Sequence, residues 1–166
     1  EGHGSLVSGV IAAVGNNGMG ISGVSWQASL MILRGVDENG QTTTASEVEA
    51  IDYAINNGAR IINVSFGGYN YDMMEASAIA RAYNRGVLVV AAACNESLNN
   101  DLTPCYPASY DKQILPNIIS VAASDQFDDL AGFSNWGVSR VDLAAPGVNI
   151  LSHGYHIAVN IGPKIF

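Results

Sequence analysis

The chain has 166 residues, nearly half of them apolar and only 13% charged, with a formal net charge of −8. This excludes a disordered chain and fits one domain with a real core. The acidic balance argues against nucleic acid or anionic membranes as partners and is compatible with secretion or calcium, and no apolar run reaches the roughly 18–20 residues of a membrane-spanning helix.

Leu6, Val7, Val10, Ile11 and Val14 fall on one helical face. Gly4 and Gly9 cost helix propensity there, so close backbone packing is their expected use. His3 lies at the first turn, where the helix dipole disfavours the imidazolium, and a neutral imidazole is what a general base needs. On residue type alone, a polar residue in a helix-leading loop reads equally well. Residues 15–23 form a loop; Gly15-x-x-Gly18-x-Gly20 has the wrong order for a dinucleotide fingerprint and follows a helix instead of a strand. Ala28 to Leu33 reads as a short buried strand, and Asp37-Glu38-Asn39-Gly40 as a turn.

Ser46-x-x-Glu49 reads as a capping box opening a helix with Val48, Ile51, Ala54 and Ile55 inward, stopped by Gly58. Arg60 to Phe66 is a buried strand. Asp72-x-x-Glu75 then caps a second helix carrying Ala76, Ile79, Ala80 and Tyr83, stopped by Gly86, and Val87 to Ala93 and Asn117 to Ala123 are further strands. Strands alternating with helices predict βαβ units, a parallel sheet and right-handed crossovers. No repeat, linker or low-complexity tract interrupts the pattern. Ligands bind such sheets beyond the carboxyl ends of the strands, which nominates Ser65-Phe66-Gly67-Gly68 and Cys94-Asn95-Glu96-Ser97 as one site.

Asn95 follows the seven-residue apolar run Val87 to Ala93, with Cys94 between them. Its amide can donate to a developing oxyanion without adding charge, although a turn-holding asparagine is the plainer reading. Ser65 lies within a strand and lacks the strained Gly-x-Ser-x-Gly elbow, so it is not a nucleophile. Cys94 and Cys105 read by themselves as two buried free thiols, since a bridge requires Cα atoms within about 7 Å.

His3-Gly4-Ser5-x-Val7-x-Gly9-x-Ile11-Ala12-Ala13 resembles the histidine motif of subtilisin-like serine proteases. Ile62-Asn63-Val64-Ser65-Phe66-Gly67-Gly68 resembles their substrate-binding strand, and Ala93-Cys94-Asn95 their Ala-Gly-Asn. Tyr106-Pro107-Ala108-Ser109-Tyr110, Phe133-Ser134-Asn135-Trp136-Gly137 and Asp142-Leu143-Ala144-Ala145-Pro146-Gly147 follow in the family's order. The resemblance covers His3 to about Ser152. It implies a three-layer α/β subtilisin-like fold, truncated at both ends, and a serine endopeptidase working through an acyl-enzyme. His3 would be the base and Asn95 the oxyanion donor. Ser65, Phe66, Gly67, Ala92, Ala93, Cys94 and Cys105 would contact an extended peptide or protein substrate, with Gly40-Gln41-Thr42 on the opposite edge. The resemblance also implies secretion of the full-length protein, a possible propeptide, and a calcium loop with Asn17 and the carbonyls of Gly15, Met19 and Ile21 as donors. No cofactor is implied for the chemistry.

The match fails at specific places. A subtilase aspartate precedes the histidine and its serine lies in Gly-Thr-Ser-Met-Ala; neither is found within these 166 residues. Opening on Glu1-Gly2-His3 without a methionine, the chain reads as a fragment, inactive alone. Residues 1–152 read as a partial catalytic domain and 153–166 as a diverged tail, whose His153 and His156 lack the further partners a zinc site needs. Cys94 replaces the family's glycine at a wall of the pocket for the residue preceding the cleaved bond, with Cys105 near its floor, so a disulfide there would narrow that pocket. Two other readings remain: a non-catalytic peptide-binding scaffold, and a nucleotide-binding α/β domain resting on the glycine loop alone.

Overall fold

The computed structural model describes residues 2–37, 41–153 and 158–161. In chain order the elements are α1 (His3–Ala12), α2 (Thr44–Asn56), β1 (Ile61–Val64), α3 (Met73–Asn84), β2 (Leu88–Ala92), β3 (Ile118–Ser124), β4 (Leu143–Pro146), β5 (Ile150–His153) and β6 (Ala158–Ile161). Strands β1 to β4 form one sheet in sequence order, parallel throughout, while β5 and β6 pair antiparallel apart from it. The expected boundary at 152/153 therefore falls inside β5; His156 lies outside the described residues.

The parallel sheet sorts its side chains by the two-residue period of a strand. Ile62 and Val64 share a face with their register partners Val89 and Ala91, and these join Ile51, Ile79, Ala82 and Ile118 in one core under α2 and α3. Ile79 and Val89 are completely buried, which contributes roughly 2 kcal/mol each. The opposite face is only partly clad: Ile61 is 62% exposed, so β1 is not buried on both sides as its apolar run suggested. Helix α1 sits on this second face, where Val7, Val10 and Ile11 border a cavity of about 140 Å³ shared with Asn63, Ser65 and Pro146. Helices on both faces of the sheet make the layers three.

Local chemistry explains the helix ends. Asp72 caps α3 by accepting the Met74 and Glu75 N–H groups, as its position predicts. The capping box of α2 is set three residues earlier than expected: Thr43 Oγ1 accepts the Ser46 N–H and Ser46 Oγ accepts the Thr43 N–H. Gly58 and Gly86 follow their helices at φ +83° and +68°, conformations that favour glycine. The two helices are tied by Thr44 donating to Asp72 and by a two-pronged Arg81–Asp52 pair.

One expectation about the first third of the chain is corrected, and another holds at only one of its two glycines. Ala28 to Leu33 forms no strand, and Leu30, Met31, Ile32 and Leu33 are 36–70% exposed. An apolar run specifies burial, but a strand exists only through a paired neighbour, and these residues join no ladder. In α1 only Gly9 is buried, while Gly4 has open space around it. Outside the helix, Gly15 and Gly23 are closely packed too, Gly15 against the Trp26 ring and Gly23 against the helix backbone. A Cβ on Gly23 would lie 2.4 Å from the Ala13 nitrogen, because residues 23–25 run back along α1 and donate to the carbonyls of Ala13, Val10 and Ile11. The glycine loop between them thus returns on a helix, without the strand–loop–helix setting that phosphate binding needs, which removes the support for nucleotide binding.

Candidate active site

Register brings the two nominated segments together. Val64 pairs with Ala91, so the chain beyond β1 and the chain beyond β2 leave the sheet side by side. Three further links hold them. Gly68 and Tyr106 exchange backbone hydrogen bonds of 2.9 and 2.7 Å. Tyr69 Oη donates to Glu96 Oε2 at 2.5 Å, and the same oxygen accepts the Asn95 N–H at 2.9 Å. Finally, Cys94 and Cys105 are joined in a disulfide with their Cα atoms 6.4 Å apart. The reading as free thiols is therefore corrected. Tertiary folding brings the Cα atoms within bridging distance, which eleven residues of sequence separation do not reveal.

Asn95 is partly buried, and its side-chain oxygen is enclosed without a hydrogen-bond partner. That oxygen is an acceptor, so the group on Asn95 that could serve a ligand oxygen is the amide nitrogen Nδ2. The loop that carries it is fixed from below. Asn135, fully buried, accepts the N–H groups of Glu96 and Leu98 and donates to Tyr69 Oη and Asn100 Oδ1. Asn100, equally buried, donates to the Ala93 carbonyl, and the Asn135 N–H donates to the Cys94 carbonyl. Sequence reading placed Asn135 only within a family-like segment and Glu96 only within a nominated one, and passed over Tyr69 and Asn100. A buried polar pair 35 residues apart leaves no local signal.

The remaining expected residues are placed as follows. Ser65 Oγ accepts from Asn63 Nδ2 at 2.7 Å. Phe66 is 39% exposed beside Gly67. Ala92 is half-buried, whereas Ala93 is buried with its N–H given to Val121 and its carbonyl taken by Asn100. His3 opens α1 on the same helical face as Val7 and Val10, which border the cavity with Asn63 and Ser65. Burial lowers its pKa below the usual value, favouring the neutral ring. Gly40 lies outside the described residues, while Thr42 bridges Val36 and the Gln41 N–H donates to Asp37 Oδ1. Asn17 Oδ1 accepts the Met19 N–H, and no cluster of three or more acidic, histidine or cysteine side chains suits a metal among the described residues.

Beside the cleft stands a second polar device. Tyr110, at the end of the loop that begins with Cys105, places Oη 2.7 Å from Glu75 Oε2 and 2.8 Å from the Asp72 carbonyl. The Tyr110 hydroxyl is the donor toward both acceptors, so its one hydrogen is shared between the Glu75 carboxyl and the Asp72 carbonyl. Burial of Glu75, aided by the nearby charges of Glu47 and Asp72 and opposed by the Tyr110 bond, pushes its pKa up to about 7. The rings of Tyr71, Tyr106 and Tyr110 pack above it at centroid distances of 4.7–5.4 Å.

Comparison with known proteins follows this geometry. A family model described as the subtilase family, Peptidase S8, matches residues 1–163. Among curated proteins, the chain is 42% identical over 150 residues to a thermophilic serine proteinase of Bacillus sp. strain AK1, covering 90% of this chain and 35% of that one. It is 40% identical over 152 residues to thermitase of Thermoactinomyces vulgaris, covering 92% and 51%. A solved structure of the psychrophilic subtilisin-like protease Apa1 from the Antarctic psychrotroph Pseudoalteromonas sp. AS-11 superposes with a TM-score of 0.79 at 38% identity, over 92% of this chain and 33% of that one. The chain thus spans about a third to a half of the length of these relatives.

Proposed function

The chain belongs to the subtilase family, and from that premise we propose that it builds the base-bearing and oxyanion-bearing part of a serine endopeptidase cleft. Asn95 carries this reading: it stands just beyond the end of β2 on a loop braced by Glu96, Asn100 and Asn135, where its Nδ2, and not the enclosed Oδ1, is the atom that can donate to an oxyanion. An extended peptide lies along Ser65–Gly67 by strand addition, which uses backbone hydrogen bonds for affinity and alternate side chains for selectivity. His3 takes the nucleophile's proton and passes it to the leaving amine, and the Asn95 amide donates to the tetrahedral oxyanion. The chemistry requires no cofactor. A disulfide in the cleft suits an oxidising compartment, which supports secretion of the full-length protein.

Because these 166 residues hold no match to the aspartate or serine motif, the isolated chain is expected to bind peptide and not hydrolyse it; a peptide-binding scaffold is the second reading this favours. A fluorogenic peptide assay should give no turnover, and amide shifts on adding an acetylated alanine peptide should cluster at Ser65–Gly67 and Asn95. Hydrolysis that persists in His3→Ala overturns the assigned mechanism, and shifts confined to other surfaces overturn the cleft.

A further inference from the structure

We propose that the Cys94–Cys105 bridge determines the specificity of the cleft: while formed, it admits only glycine or alanine where a bound peptide points a side chain between the ends of β1 and β2. The inference rests on the peptide-cleft reading above and adds to it which residues are accepted.

Four observations converge. Continuing the β1–β2 register beyond Val64 and Ala91 sets Gly67 opposite Cys94, so the crevice between the two strand ends runs between these residues. That crevice is filled: a Cβ on Gly67 would lie 2.9 Å from each of the two sulfurs and 2.8 Å from the Tyr106 carbonyl oxygen. Cys105 is completely buried and cannot swing away, since the adjoining Tyr106 is pinned to Gly68 by two backbone bonds. Cys94 holds φ at +84°, a conformation that disfavours residues with a Cβ by about 1 kcal/mol or more and favours glycine. A cysteine kept at such a position is held there by the bond its sulfur makes.

An extended peptide on Ser65–Gly67 alternates its side chains, and one of them is directed at the sulfurs. With no depth below Gly67, a methyl group meets the bridge and an aromatic ring has nowhere to go. Reduction by two thiols returns two cysteine thiols and one external disulfide, breaking the bond that holds the two sulfurs together in the crevice. Replacing the pair by glycine and alanine empties it, while giving position 94 the residue its backbone favours.

The test uses the 166-residue chain and dye-labelled peptides Ala-Ala-Ala-X with a free carboxyl end, X being Gly, Ala, Leu or Phe, followed by fluorescence anisotropy. In the oxidised chain, peptides ending in Gly or Ala should bind roughly ten-fold or more tighter than the one ending in Phe. In Cys94→Gly/Cys105→Ala that preference should shrink or reverse, and a phosphine reductant should move the unsubstituted chain the same way. Equal or tighter binding of the Phe peptide by the oxidised chain overturns the inference, however the variant behaves. So does an unchanged preference in a variant that still unfolds cooperatively. Absence of binding by every peptide in every form removes the cleft reading itself, and the inference with it.

Discussion

Asn135→Ala is expected to lower the unfolding free energy by about 3 kcal/mol, which for a domain of this size moves the melting temperature down by roughly 10 °C. The side chain is completely buried and makes four hydrogen bonds, two accepted from Glu96 and Leu98 N–H groups and two donated to Tyr69 and Asn100. Truncation leaves Asn100 Oδ1 without its donor in the interior and opens a cavity whose walls are otherwise satisfied. Because Glu96 also holds the Asn95 N–H, the loss should extend to the cleft. Peptide-induced shifts at Asn95 should weaken even at temperatures where the variant is folded. Chemical denaturation with a midpoint within about 0.5 kcal/mol of the parent would show that the network is dispensable.

The second large effect depends on pH. In the folded chain Glu75 binds its proton up to about pH 7, above the ordinary carboxylate range of the unfolded state. A raised pKa means that the folded form is favoured while the proton stays on. The contribution is complete below about pH 4.5, declines as pH rises toward 7, and above that leaves the fold about 3 kcal/mol weaker than in acid. Glutamine keeps an acceptor for the Tyr110 hydroxyl and carries no charge, so Glu75→Gln should match the parent near pH 4 and exceed it by about 3 kcal/mol at pH 8. Urea midpoints of both proteins across that range provide the check. A difference between them that stays constant with pH would mean that burial does not raise the Glu75 pKa in the folded state.

Much of the architecture was readable from local punctuation. The Asp72 cap, the stops at Gly58 and Gly86 and the apolar runs between them locate α2, α3, β1 and β2, and the carboxyl-end rule then singled out both cleft segments. What escaped the sequence was tertiary. Glu75 occupies the position of a capping-box partner, yet turns inward to a tyrosine 35 residues away. Ala28 to Leu33 has the composition of a strand and no ladder to join. The left-handed backbone at Cys94 is invisible in a residue type that rarely adopts it, so the sulfur's partner could not be inferred from the turn. Asn100 and Asn135 resemble any other polar loop residues until the fold removes them from water.

The way α1 is attached gives the elements that carry His3 and Asn95 unequal anchorage. The helix carrying His3 buries only Gly9, and it is moored by residues 23–25 at one end and by the Ser152 hydroxyl on the Leu6 carbonyl, a contact closed across 146 positions of chain. Its remaining hold is the packing of Val7, Val10 and Ile11 around the cavity they share with Ile150 of β5. The loop after β2, stapled by sulfur and laced by buried amides, has the denser anchorage. On the proposed reading, the general base rides on the more loosely seated of the two elements and the oxyanion donor on the firmer one.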